Sequence, residues 1–150
     1  MQSFDPWHVI SDTPEYLTGV FVLQPPTSEL AIICDGEFKD GRLPVLRFKD
    51  YEAVKMHQES AHLWVGESQP PALPKSADSV WTFPFLKVED SVWAANSVRS
   101  QYFQEVPSHY SVISSDMIVD VLSFEEPTVS WTTREELELV SNAVAQMGRA

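Results

Sequence analysis

The alternation of apolar and polar residues is most regular between positions 109 and 124. Two antiparallel strands joined by a polar turn at 114–116 account for it, because successive side chains of a strand point to opposite faces. One predicted face is entirely apolar: Tyr110, Val112, Met117, Val119 and Val121. The other face is mixed: His109, Ser111, Ile113, Ile118, Asp120 and Leu122. This register places Val112 opposite Val119, and a slip of one residue would exchange the two faces.

Shorter apolar runs predict further strands on both sides of this hairpin: 20–23, 30–33, 45–48, 52–56, 80–88 and 128–131. The first four runs are separated by short connections, which favours one antiparallel meander with a turn at 49–50. Pro84 has no N–H to donate to a ladder, so the strand at 80–88 is expected at a sheet edge or a bulge. Residues 1–16 are punctuated by two prolines and are expected to be irregular.

The segment 133–147 predicts the longest helix. Thr132 and Thr133 each precede a glutamate by three residues, which is the pattern of a capping box. The apolar stripe of this segment has helical spacing: Leu137, Val140, Val144 and Met147. We expect the stripe to cover the protein's own core, and the alternative is the seam of a homodimer through the 133–147 helix.

A second, shorter helix is predicted from Asp90 or Ser91, either of which can cap it, to about Phe103. Its apolar stripe would consist of Ala94 or Ala95, Val98 and Tyr102. The predicted fold is therefore α+β, a curved and mainly antiparallel sheet with these two helices packed on it. Whether the sheet closes toward a barrel is left open by the pattern.

One globular domain over residues 1–150 fits the chain length. The Pro-rich segment 66–79 would divide the chain into two parts that are each too short for a core of their own. We therefore interpret 66–79 as a long surface loop.

The charge balance restricts the partners. The chain has 22 acidic and 10 basic residues, a net charge of −12 with histidine neutral. Phosphate backbones and anionic lipids repel such a surface, so neither nucleic acid nor membrane is an expected partner. The same charge can attract a basic protein, although solubility alone would also explain it. Cys34 is the only cysteine, and with no apolar leader or span this favours a cytoplasmic location.

The search for catalytic and metal-binding motifs finds little. His57 and His62 are five residues apart, a spacing that converges on one ion neither on a helix nor on a strand. Asp35, Glu37 and Asp40 resemble the start of a calcium loop, but a lysine stands at the fifth position, where an oxygen ligand belongs. Cys34 follows two isoleucines and is expected to be buried and unreactive. We therefore predict no metal site and no cofactor.

Two constellations of side chains are candidate sites. His109 and Asp120 lie diagonally on the mixed face of the hairpin and could share a hydrogen bond, which would make the pair a candidate acid–base site. The second constellation is aromatic and could form a binding surface at an exposed sheet edge: Trp64, Trp81, Phe83, Phe85 and Trp93. For both constellations, a structural role is the competing interpretation.

The favoured functional hypothesis is a small acidic module that binds a protein partner. One form of it would neutralise a basic partner, as an immunity protein does for a toxin. This hypothesis assumes that the titratable side chains point outward and do not meet in an enclosed cavity. The alternative is a small-molecule-binding protein or enzyme that uses the His109–Asp120 pair.

Overall fold

The computed structural model describes residues 2–24, 29–58, 73–76 and 80–147. The fold class is α+β, as the sequence predicted. Within the described part, the strands are β1 (Ser3–Pro6), β2 (Leu17–Leu23), β3 (Leu30–Gly36), β4 (Arg42–Phe48), β5 (Tyr51–Gln58), β6 (Phe85–Glu89), β7 (Ser108–Ile113), β8 (Met117–Ser123) and β9 (Thr128–Thr133). The helices are α1 (Val92–Ala95), α2 (Val98–Phe103) and α3 (Arg134–Met147).

The strands form two antiparallel sheets that do not close into a barrel. The five-stranded sheet has the order β1-β6-β7-β8-β5, and the four-stranded sheet has the order β2-β3-β4-β9. The turn between β4 and β5 passes from one sheet to the other, so the predicted meander ends at β4. A short connection predicts neighbouring strands, but it does not prevent the chain from crossing to a facing sheet.

The main core lies between the two sheets. The predicted hairpin is β7–β8, and its register is confirmed, with Val112 opposite Val119 and Tyr110 opposite Val121. These four side chains are fully or almost fully buried, and they belong to one apolar cluster with residues of the four-stranded sheet such as Ile32. Complete burial of such an aliphatic side chain contributes about 1.5–3 kcal/mol. The alternation of the hairpin therefore sets the orientation of the five-stranded sheet.

The five-stranded sheet also buries apolar side chains on its outer face, which α1 covers. These side chains are Leu86, Val88, Ile118 and Leu122 from the strands and Ala94 from α1. The predicted helix from position 90 or 91 to 103 is interrupted, because Ser91 and Ser97 each cap a separate helix by accepting a backbone N–H. Of the expected stripe, Ala94 is buried, whereas Val98 and Tyr102 are exposed.

Helix α3 is confirmed close to its predicted bounds, and Thr133 accepts the backbone N–H of Glu136 as a cap. Only Leu137 of the predicted stripe is partly buried against the core, while Val140 and Met147 are exposed. The side chain of Val144 lies outside the described part. The expectation that the stripe covers the core is therefore wrong for Val140 and Met147.

Several other expectations need correction. Residues 1–16 contain β1, which pairs with β6, so the strand after Pro84 is not at an edge of its sheet. That strand begins only at Phe85. Most of the predicted loop 66–79 lies outside the described residues, and within 73–76 Ser76 donates its backbone N–H to the carbonyl of Trp81. Among the described helices, none has the length and apolar character that crossing a membrane requires.

Cys34 is buried in the core, as predicted, and burial raises the pKa of its thiol. A thiol that stays protonated is a poor nucleophile. Cys34 therefore acts as a small apolar residue of β3.

Candidate functional site

Asp120 lies on the outer face of the five-stranded sheet, on β8, between β7 and the edge strand β5. Its direct cross-strand neighbours are Ser111 on β7 and Lys55 on β5. His109 and His57 occupy the two diagonal positions, because each is paired with a residue two positions away from Asp120. Diagonal neighbours are about 7–8 Å apart at their backbones, which long side chains can span. The register alone therefore brings two imidazoles to one carboxylate.

Both imidazoles make a hydrogen bond with this carboxylate. His109 Nε2 lies 2.7 Å from Asp120 Oδ1, and His57 Nε2 lies 2.8 Å from Asp120 Oδ2. The side chains of all three residues are only 10–13% exposed. An ionised carboxylate can only accept hydrogen bonds, so both histidines donate through Nε2–H. We call this arrangement the Asp120 network.

Ser91 extends the Asp120 network to α1. Its Oγ lies 2.7 Å from His109 Nδ1 and also accepts the backbone N–H of Ala94 over 3.1 Å. When His109 is neutral with its proton on Nε2, its Nδ1 accepts the hydroxyl hydrogen of Ser91. Both ring nitrogens of His109 are thus engaged, and the cap of α1 is tied to the sheet.

The pKa of Asp120 reflects two opposing effects. Burial on its own would raise this pKa. Burial is outweighed by hydrogen bonds from His109 and His57, by the charge of His109 and by a hydrogen bond from Ser111, which together lower the pKa of Asp120 to about 2. A buried carboxylate with several donors is held in its ionised form. The site therefore keeps a negative charge under an apolar cover.

The Asp120 network faces a cavity of about 210 Å³ between the sheet and α1. Most of the cavity wall is apolar: Phe4, Leu73, Leu86, Val92, Trp93, Ile113 and Ile118. Its polar wall is smaller in area, although as many residues contribute to it: Gln2, Lys55, His57, Asn96, His109, Ser111 and Asp120. An apolar cavity of about 150 Å³ is known to accept benzene, so the volume suits a ligand of one ring. Apolar walls with a few converging polar groups are typical of small-molecule sites.

Trp93 on α1 joins the two parts of the cavity wall. Its ring meets the ring of His109 edge-on, with 5.2 Å between the ring centres. The ammonium of Lys55 lies 4.3 Å from the centre of the same indole ring, a cation–π contact. Trp93 therefore fixes the position of Lys55 at the rim and covers the Asp120 network.

The structure contains the predicted contact of the candidate acid–base pair, but it does not bring the predicted aromatic residues together. His109 and Asp120 share the expected hydrogen bond, and their catalytic role stays a prediction. The aromatic residues do not form one surface, because Phe85 is buried in the core and Trp93 lines the cavity, whereas Trp81 stacks on Tyr16. Trp64 lies outside the described residues. Phe83 is partly buried against the core.

The expectation that the titratable side chains point outward is wrong for His57, His109 and Asp120, which meet at the wall of a partly open cavity. Sequence reasoning missed His57, Ser91 and Lys55 as members of the site. The alternation of β5 places Lys55 and His57 on one face, but only the pairing of β5 with β8 brings that face beside Asp120. In the part of the chain that the structure describes, no three metal-ligating side chains converge on a possible ion position.

Comparison with protein-family models, with curated proteins and with solved structures found no match. No family or related activity can therefore be transferred to this chain. Function has to be argued from the site, because one fold can host many unrelated activities.

Proposed function

We propose that the protein binds a small molecule in the cavity between α1 and the five-stranded sheet. The observation that carries the proposal is the Asp120 network, which forms part of the polar wall of a cavity whose surface is mostly apolar. Such a combination gives a ligand both apolar contact and a fixed orientation. The competing interpretation is a structural network that only holds α1 on the sheet.

The cavity favours a planar, largely apolar ligand with one hydrogen-bonding group. Its apolar body would lie between Trp93 on the helix side and Ile113 on the sheet side. Its polar group would lie toward His57 and Asp120, where hydrogen bonds formed away from water are strong. This ligand class fits both the volume and the charge of the site.

Catalysis at the same site is a more specific proposal that depends on ligand binding. An imidazole oriented by a carboxylate is a common acid–base group, and the Asp120 network contains two. His109 has both nitrogens engaged, so its direct proton exchange with a ligand would require the Ser91 or the Asp120 hydrogen bond to break. Binding is therefore the primary proposal, and catalysis by His109 and Asp120 is a prediction that depends on it.

A fragment experiment tests the binding proposal. Phenol, indole, benzamide and benzoate would be titrated into the ¹⁵N-labelled protein while the indole N–H of Trp93 and the histidine ring resonances are followed by NMR. We expect millimolar binding of at least one fragment, with shifts at Trp93 and His57. The variant Ile113→Trp fills the cavity and should abolish the shifts, whereas Leu139→Trp, which adds the same ring on exposed α3, should retain them.

Two results would count against a binding cavity. One is the absence of shifts at Trp93 with all four fragments. The other is equal binding by both tryptophan variants, with melting temperatures that show both to be folded. Either result would favour the structural role of the Asp120 network.

The second candidate function is the acidic protein-binding module, one form of which neutralises a basic partner. It is supported by the net charge of −12 and by large apolar side chains that are exposed on α2. Association with a basic partner should slow markedly as salt is added, because the attraction is screened beyond about 10 Å at 0.1 M salt. A cytoplasmic location belongs to this proposal, and the single buried thiol of Cys34 supports it.

A further inference from the structure

Four large apolar side chains project into solvent at α2 and directly after it. Val98 is 65% exposed, Tyr102 78%, Phe103 70% and Val106 62%. We call these four residues the α2 patch. In the described part of the chain, only Val80, Leu139 and Met147 are large hydrophobic residues of comparable exposure, and they are distributed over two other segments. Concentrated exposure of this kind is unusual on a monomer unless another molecule covers it.

The local backbone holds the α2 patch in place. Gln104 adopts a left-handed conformation with φ of 57°, which ends α2. The chain then turns back, and the N–H of Glu105 donates to the carbonyl of Arg99. At the start of α2, Ser97 caps the helix and the carboxylate of Glu52 accepts the backbone N–H of Arg99. The α2 patch therefore lies on a segment whose backbone is held by hydrogen bonds at both ends.

Acidic residues lie beside the α2 patch, where they contact Arg99. The guanidinium of Arg99 is shared between Asp50, at 3.5 Å, and Glu105, at 2.5 Å. The same guanidinium lies 3.7 Å above the ring of Phe124, which is followed by the exposed Glu125 and Glu126. The side chain and backbone of Arg99 thus contact three carboxylates, those of Asp50, Glu52 and Glu105, and these make this side of the α2 patch negative.

We propose that the α2 patch and its acidic rim bind a basic protein segment that presents aliphatic side chains between lysines or arginines. The proposal deepens the second candidate function and rests on it. Aromatic and aliphatic anchors supply affinity at the centre of an interface, while complementary charges at the rim guide association. Tyr102 and Phe103 would be the anchors, and Glu125 and Glu126 would belong to the rim.

The charges argue against other occupants. Phosphate backbones and anionic lipids would be repelled by Glu105 and its acidic neighbours. A second copy of the chain in a two-fold arrangement would bring the same acidic rim against itself. A basic segment is the occupant that gains from both the apolar centre and the rim.

A designed peptide of 18 residues, with leucines on one helical face and lysines on the other, is a suitable probe. It would be titrated into the ¹⁵N-labelled protein at 50 and 300 mM salt, beside one peptide with glutamine for lysine and one with serine for leucine. We expect backbone shifts at 98–106 and 124–126, with binding that weakens with salt and is lost with both control peptides. The double variant Tyr102→Ser/Phe103→Ser should weaken binding by about tenfold or more, since anchors dominate interface energy.

Matched variants make the result specific. Leu139→Ser/Met147→Ser removes equally exposed apolar residues from α3 and should bind the peptide as the parent does. Glu125→Lys/Glu126→Lys should weaken binding and flatten its salt dependence. All three double variants change exposed side chains, so they should keep the parent melting temperature within a few degrees.

The outcomes separate this proposal from the function on which it rests. Salt-dependent binding with shifts away from 98–106, unchanged in Tyr102→Ser/Phe103→Ser, would overturn the α2 patch and leave a protein-binding function standing. No salt-dependent binding at any position would overturn both. If the protein alone doubles its mass in light scattering and Tyr102→Ser/Phe103→Ser restores the monomer, a second copy covers the patch and the proposal is wrong.

Discussion

The outer face of each sheet carries a helix, and the two helices differ in length and in what stabilises them. Helix α1 has four residues, too few for a stable helix in isolation, yet it lies on buried side chains of the five-stranded sheet. Helix α3 has 14 residues and its own cap, yet it contacts the four-stranded sheet mainly through Leu137. The short helix depends on its tertiary contacts, whereas the long helix depends largely on its own sequence.

Polar contacts are what hold α1 in place. Ser91 joins it to His109, and the side chain of Gln2 accepts the backbone N–H of Val92 over 2.8 Å. The comparable polar contact of α3 is the ion pair between Arg134 and Asp35, whose side chains are 52% and 30% exposed. Exposed pairs contribute little to stability, while buried hydrogen-bonded networks are costly to break. The two faces should therefore respond differently to substitution.

Replacement of Asp120 by alanine should have the largest effect. It removes the acceptor of both imidazoles and leaves buried donors unsatisfied, so we expect a loss of about 3–5 kcal/mol in the free energy of unfolding. Urea denaturation measures this quantity. A loss under about 1 kcal/mol would mean that water reaches the histidines freely.

The free energy of unfolding should depend on pH through the carboxylate of Asp120. The pKa of Asp120 is lowered from the ordinary value of 3.8 to about 2 in the folded protein. Its contribution, about 2 kcal/mol, should be complete above about pH 5 and disappear as the pH falls toward 2. Urea denaturation of the parent and of Asp120→Asn from pH 2 to 6 would isolate it, because the stability difference should grow over that range. A constant difference would contradict the lowered pKa.

Loss of the Ser91 hydroxyl should have a moderate effect. Ser91→Ala removes both the cap of α1 and the partner of His109 Nδ1, and we expect about 2 kcal/mol of destabilisation. Ser97→Ala is the matched control, since Ser97 caps α2 without a contact to the Asp120 network, and it should cost about 1 kcal/mol. Equal losses for the two variants would show that the His109 contact adds nothing.

Substitutions on α3 should have the smallest effects. Leu137→Ala should cost about 1 kcal/mol, less than a fully buried leucine, because the side chain is only partly buried. Leu139→Ala, at an exposed position, should stay within about 0.5 kcal/mol. Light scattering of Leu137→Glu beside the parent tests the alternative that the stripe of the 133–147 helix is a homodimer seam, and a mass equal to that of the parent would count against it.

The sequence predicted the hairpin and its polar face because strand alternation is a local property. The predicted diagonal between His109 and Asp120 follows from that register and is present in the structure. The positions of His57 and Ser91 could not be predicted in this way. They depend on β5 pairing with β8 and on α1 folding over the sheet, both of which are contacts between distant parts of the chain.

The sequence by itself determined the approximate positions of the described strands other than β1, which side of β7–β8 is apolar and where α3 begins. These features follow from the period of a strand or helix and from caps within a few residues. The tertiary structure decided that β4 and β5 belong to different sheets and that α1 covers a cavity beside Asp120. Those outcomes depend on which apolar faces pack together, and many arrangements of the same elements satisfy the local pattern equally well.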